Sequence, residues 1–151
     1  MTGEINASGS IMSMYNNNPN DTKIMHNNAF AEIFEDCESL KTAPELPATT
    51  LSKDCYCDMF WNSGIAVAPE LPATELADNC YEYMFNNCTS LKNIAIPNCV
   101  TRIGGVSNSS QTSTSTNGYV FYNCTSFSTL YINIATPPTI TSNTFLNCKK
   151  T

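Results

Sequence analysis

A seven-residue string occurs twice in this chain. Ala43-Pro44-Glu45-Leu46-Pro47-Ala48-Thr49 returns unchanged as Ala68-Pro69-Glu70-Leu71-Pro72-Ala73-Thr74, 25 residues later. The register continues past the string: Leu51 falls on Leu76, Cys55 on Cys80, Tyr56 on Tyr81, Met59 on Met84 and Phe60 on Phe85. A second mark, Phe-x-x-Cys followed by a small polar pair and an apolar residue, appears as Phe34/Cys37/Leu40, Phe85/Cys88/Leu91 and Phe121/Cys124/Phe127. It returns shortened as Phe145/Cys148, and in the remaining copy Ser63 replaces the Cys. A fixed period of this length means repeated structural units, each too small to bury its own apolar face and therefore stacked on its neighbours.

The marks cut the chain into copies 29–54, 55–79, 80–115, 116–139 and a partial copy 140–151, after a leading or capping segment 1–28. The expected fold is an α/β solenoid of about five units of about 25 residues, each a short strand plus a short helix or turn. Leu76, Cys80, Tyr81, Met84 and Phe85 lie at i, i+4, i+5, i+8 and i+9, which predicts a short helix. Leu51, Cys55, Tyr56, Met59 and Phe60 repeat that spacing. Leu91, Ile94 and Ile96 are spaced more like a strand, as are Leu130, Ile132 and Ile134. Pro44, Pro47, Pro69, Pro72 and Pro97 interrupt the turns and keep each strand short. The third copy also contains an inserted loop, 105–118, whose stretch Ser107–Asn117 is made only of Ser, Thr, Asn and Gln. It cannot contribute to a core, lacks anchoring aromatics or Arg, and reads as a tolerated insertion.

Charge is sparse and lopsided. Charged residues are 13% of the chain and the net charge is −6, which argues against nucleic acid as a partner. Every acidic residue lies at or before Glu82, so residues 1–82 carry a balance of −10 and residues 83–151 a balance of +4. An elongated stack would have an acidic end and a basic end. No apolar stretch approaches the ~20 residues of a membrane helix, so membrane insertion is not expected. Met1–Ser10 shows no signal peptide.

Eight cysteines leave two accounts open, a disulfide framework or buried thiols. Cys37, Cys88, Cys124 and Cys148 share one repeat column, and Cys55 and Cys80 another. Side chains in one column run parallel rather than toward each other, which favours buried thiols. Cys57 and Cys99 break the columns and are expected to be the more exposed. His26 is the only histidine, and Cys55-x-Cys57 is too close for the usual zinc spacing, so neither a metal nor a cofactor is expected. No phosphate loop, serine elbow or paired-carboxylate motif is present, and no enzyme is expected.

The run Phe85-x-x-Cys88-Thr-Ser-Leu91-Lys-x-Ile94-x-Ile96-Pro97 resembles the BspA-like leucine-rich repeat. Val100-Thr-Arg-Ile103-Gly104 resembles it too. The variant Leu46–Leu51, the run Asn6–Ser13 and Ala135-Thr-Pro-Pro138 resemble a subgroup of gut anaerobes. The resemblance implies a bacterial cell-surface or secreted protein, non-enzymatic and linked to adhesion, with a repeat-built face for a protein or glycan. The candidate face residues are Tyr56, Trp61, Tyr81, Tyr83 and Tyr131. Phe34, Cys37, Leu46, Phe60, Leu71, Phe85, Cys88, Leu91, Phe121, Cys124, Phe145 and Cys148 are the expected structural repeat positions. The alternative reading is a structural spacer or self-assembling subunit of a filament or phage particle. The last copy stops at Cys148 without the strand that normally follows, which points to self-association through a C-terminal edge.

Overall fold

Parallel pairing at an offset of about one repeat organises the computed structural model, which describes residues 3–74, 77–96, 102–103, 120–132, 139–140 and 144–148. Strand β1 (Ile5–Asn6) pairs with β2 (Leu40–Thr42), with Ile5 opposite Leu40. Thr42 bridges in parallel to Val67, and the Lys92 N–H donates to the Ala66 carbonyl at 3.1 Å. Strand β3 (Asn93–Ile96) pairs with β5 (Thr129–Ile132), and β4 (Arg102–Ile103) with β6 (Thr139–Ile140), again in parallel. Each strand therefore lies beside the one that follows after a full circuit of chain. The inserted loop 105–118 and Cys99 lie outside the described residues.

The leading segment takes part in this pairing. Besides β1, Ser10 bridges to Glu45 and Lys23 to Thr50. Between them runs α1 (Met12–Asn16), a five-residue helix that ends on Asn17 in the left-handed conformation at φ 59°. It is the α-helix found among the described residues.

The short helices expected within each unit are absent from the described residues, and a chain of tight turns stands in their place. Asp54, Asp58 and Asn62 have φ of 55°, 54° and 54°, so every fourth residue is left-handed. Asn28, Glu32 and Asp36 repeat this in the coil before, and Asn79, Tyr83 and Asn87 in the coil after. Backbone donors then alternate in direction. Trp61 and Ser63 donate within the coil, to Asp58 and Phe60, both at 3.0 Å. Tyr56, Asp58, Phe60 and Asn62 donate to the next coil, to Cys80, Glu82, Met84 and Asn86, at 2.9–3.1 Å. An α-helix spends every interior N–H on itself. The turn run reserves half of its donors for its neighbour, so stacking is written into the backbone. The period becomes four rather than 3.6, a difference of only about 10° per residue. Over nine residues the same i, i+1, i+4, i+5 positions face inward either way, which is why the spacing suggested a helix.

The core is built in columns. Phe34, Phe60, Phe85, Phe121 and Phe145 stack ring on ring, with successive centroids 5.5, 5.6, 5.9 and 5.3 Å apart and planes within 9°. Each full burial of such a ring is worth about 1.5–3 kcal/mol, and each ring pair about 0.5–1.5 kcal/mol more. The cysteine column runs alongside. The Cys88, Cys124 and Cys148 thiols donate to the carbonyls of Phe60, Phe85 and Phe121 at 2.9, 3.0 and 2.9 Å. Ser63 holds the same place in its coil, with its hydroxyl 3.5 Å from the Cys88 sulfur. Leu46, Leu71 and Leu91 are buried, as are Cys55 and Cys80. The seven described cysteines are all free thiols.

Candidate functional site

The same register that fills the core decides which aromatic residues reach the surface. Tyr56 and Tyr81 stack on each other at 6.1 Å inside the column headed by Phe30. They are 1% and 3% exposed, so they belong to the core and not to a binding face. Inter-coil pairing places Tyr56 directly against Tyr81 across the stack, and two rings covering each other leave neither for a ligand. The Tyr56 hydroxyl has no hydrogen-bond partner among the described residues, and burial holds it far above the ordinary phenol range.

Trp61 and Tyr83 are the residues left outside. Trp61 is 39% exposed and its ring lies 6.3 Å from that of the half-buried Tyr83. In the turn run, Trp61 occupies the position of Glu35 in the coil before and of Asn86 in the coil after. Tyr83 likewise stands where the preceding coils have Glu32 and Asp58. Tyr131 is 57% exposed but sits on β5, in the strand column, together with exposed Val67. The candidate residues are thus divided three ways: two in the core, two together on the turn face, one on the strand face.

The turn face is acidic. Asp58 and Glu82 meet through the backbone, Asp58 N–H to Glu82 carbonyl at 2.9 Å. Burial, followed by the nearby Glu32 charge, raises the Asp58 carboxyl above its usual value. Burial, followed by Asp58 and Asp54, does the same to Glu82. Glu35 is raised too, by desolvation first and then by Glu32, Asp36 and Asp58. Lys53 and Asp54, at 3.6 Å, form the ion pair found among the described residues, so most of this negative charge is uncompensated. Cys57 lies half-buried here and donates to Asp58 Oδ2 at 3.1 Å. Burial and that carboxylate push its thiol well up, which keeps it protonated and a poor nucleophile.

A ladder of side-chain hydrogen bonds runs along the stack. Asn62 donates to Asp36 at 2.8 Å, Asn87 to Asn62 at 2.6 Å, and Asn123 to Asn87. All four are the left-handed residues that close the turn runs. Asn and Asp tolerate that conformation better than other side chains. The signal for both features was in the sequence: Asp54, Asp58 and Asn62 recur at spacing four. The apolar pattern of the same residues is stronger and hides it.

A concavity of about 410 Å³ opens between the two proline turns, lined by Pro44, Pro47, Pro69 and Pro72 with Glu45 and Glu70. It is the direct product of the duplicated heptapeptide. Among the described residues no cluster of three or more His, Cys, Asp or Glu could hold a metal ion. No described helix is long and apolar enough to cross a membrane.

A family model described as the BspA type leucine rich repeat region matches residues 15–110 and 82–151, in six copies. Neither the curated proteins nor the solved structures yield a match. Leucine-rich repeats are in general non-enzymatic interaction modules, and proteins of the BspA type are usually surface-exposed or secreted. With the repeat columns and inter-coil pairing above, the match over nearly the whole sequence means that this chain belongs to the BspA-type leucine-rich repeat family.

Proposed function

We propose that the chain is a non-enzymatic binding or adhesion module of a bacterial cell-surface or secreted protein. In this reading it is a stack of about five units that takes a protein or glycan partner on its turn face. The observation that carries it is the solvent-facing Trp61, stacked on the half-buried Tyr83 of the following coil. Neither ring belongs to the two stacked columns of the core. Exposed aromatics are the side chains that most often anchor a partner. The test is a glycan and host-protein binding array probed with the native chain and with Trp61→Ala, Tyr83→Ala and Tyr131→Ala. Loss of a specific signal with the first two variants and retention with the third supports the turn face. Binding that survives Trp61→Ala and Tyr83→Ala but fails with Tyr131→Ala moves the face to the strands. No specific signal on either array counts against the adhesion reading.

A further inference from the structure

One copy in the interior of the stack is a residue short. After the cysteine position, the first and third copies carry a pair, Glu38-Ser39 and Thr89-Ser90, before Leu40 and Leu91. The copy between them has the single residue Gly64 before Ile65. Leu40, Ile65 and Leu91 are all buried, so the shorter coil reaches the same column by a tighter path. Gly64 permits that path. Its N–H donates to the Cys37 carbonyl at 3.2 Å, and a Cβ would stand 1.9 Å from the Glu38 carbonyl oxygen. A hollow of about 300 Å³ sits at this step, with Glu38 and Lys41 on the coil before and Thr89 and Ser90 on the coil after.

Every side chain that lines the hollow is polar. Among the described residues, the Glu38 carboxylate and the Thr89 and Ser90 hydroxyls make no hydrogen bond or ion pair. Lys41 Nζ donates to the Glu38 carbonyl at 3.2 Å, which leaves two of its three N–H groups. Asn62 gives one amide N–H to Asp36, and Asn87 gives one to Asn62. The second N–H of each is left, on an amide whose orientation the ladder already fixes. Groups held in place before a ligand arrives lower the ordering cost of binding it.

Three ligand classes fit this lining badly. A metal ion has no site, because among the described residues no cluster of three or more His, Cys, Asp or Glu could hold one. A simple anion would meet the Glu38 carboxylate, with Asp36 at the head of the ladder beside it. An apolar ligand would find no apolar side chain. A neutral ligand that both gives and accepts hydrogen bonds suits the mixture, and hydroxyl groups do both. The volume lies at the low end for small-molecule pockets, enough for one sugar ring rather than a length of chain. We propose that this hollow binds a single neutral sugar residue. Glu38 would accept from its hydroxyls, Lys41, Asn62 and Asn87 would donate to them, and Thr89 and Ser90 would do either. Trp61 and Tyr83 do not line the hollow, so the site is separate from the turn-face reading and does not rest on it.

Titration of the native chain with single sugars, read by backbone amide shifts, tests the site. The probes are glucose, galactose, mannose and N-acetylglucosamine, each also as its methyl glycoside, with inorganic phosphate and calcium ion as comparisons. At least one neutral sugar should shift the Gly64, Thr89 and Ser90 amides saturably, with a dissociation constant of about 1 mM or somewhat above. Glu38→Gln and Lys41→Ala should each weaken that binding about tenfold at an unchanged melting temperature, the effect of one hydrogen bond to a charged group. Glu70→Gln, in the proline concavity, should bind as the native chain does. Binding of the methyl glycoside as tight as that of the sugar supports the site and makes the end of a glycan its occupant. Binding lost on methylation supports the site and makes the free sugar its occupant. Shifts at these amides with phosphate or calcium alone, with no probe at all, or with a sugar whose affinity both variants leave unchanged overturn the proposal. Sugar-induced shifts confined to Trp61 and Tyr83 also overturn it, while supporting the turn face.

Discussion

Asn87 combines three jobs in one residue, and substitution can separate them. Its φ is 59°, its N–H donates to the Tyr122 carbonyl at 2.8 Å, and its side chain links Asn62 to Asn123. Asn87→Gly removes the side chain and keeps the left-handed backbone comfortable. Two lost hydrogen bonds cost about 0.5–1.5 kcal/mol each, and glycine's freedom in the unfolded chain adds about 0.5–1 kcal/mol. The expected loss is therefore about 1.5–4 kcal/mol. Asn87→Ala loses the same two bonds and adds about 1–2 kcal/mol for a Cβ held at positive φ. Alanine should come out about 1 kcal/mol below glycine, the reverse of the order expected in a helix. Asn147 is the internal control, because its φ is 63° but its side chain has no ladder bond among the described residues. Glycine there should cost under about 1 kcal/mol, from its backbone freedom alone. Urea unfolding and thermal melts read these differences, at about 2–4 °C per kcal/mol for a chain of this size. If Asn87→Gly costs no more than Asn147→Gly, the ladder contributes nothing. If Asn87→Ala is as stable as Asn87→Gly, the left-handed turn run is not the structure in solution.

Three further outcomes follow from the geometry. Gly64→Ala should be severely destabilising, by several kcal/mol or by failure to fold, because a Cβ there would meet the Glu38 carbonyl oxygen at 1.9 Å; expression and melting of the variant check this. Native protein should react slowly with a thiol reagent and release its remaining thiols on denaturation without reductant. Burial pushes Cys55 up to about 12 and Cys88 to about 11, so the stability these thiols supply is whole below about pH 9 and lost as pH climbs through 11 to 12; denaturation that releases almost no thiol would mean disulfides instead. Asp58 and Glu82 are raised carboxyls, so the fold favours their protonated forms; the melting temperature should rise as pH falls from neutral toward the carboxylate range, and Asp58→Asn should flatten that rise, which a pH series of melts of both proteins measures.

What the sequence makes legible is the part that sums over many copies. Phe60 and Phe85 occupy equivalent positions, so their stacking partner is implied by the register itself. Ser63 in a cysteine position is likewise readable as a small slot, and the structure puts its hydroxyl beside Cys88. The local conformation is harder to read, because two backbones place the same residues inward. Only the Asn and Asp residues at spacing four separate a turn run from a helix, and they act through φ rather than through burial. The face was legible in part. Trp61 breaks its column and lies outside, whereas Tyr56 and Tyr81 follow theirs and are sealed in. A tyrosine's polar tip says little about exposure when an identical ring lies one coil away.

The alternating turn run has a mechanical consequence. Hydrogen bonds between coils point along the stack, so a pull applied to its two ends loads them one layer at a time rather than all together in shear. Coils would detach in sequence, the outermost first, since each is held by a few bonds on the turn side and a few on the strand side. Layers spaced about 4.8 Å apart would each release about 80 Å of chain. A tether built this way lengthens under load in discrete steps and rewinds when the load is removed, because the register that guides each coil back survives in the layer beneath it.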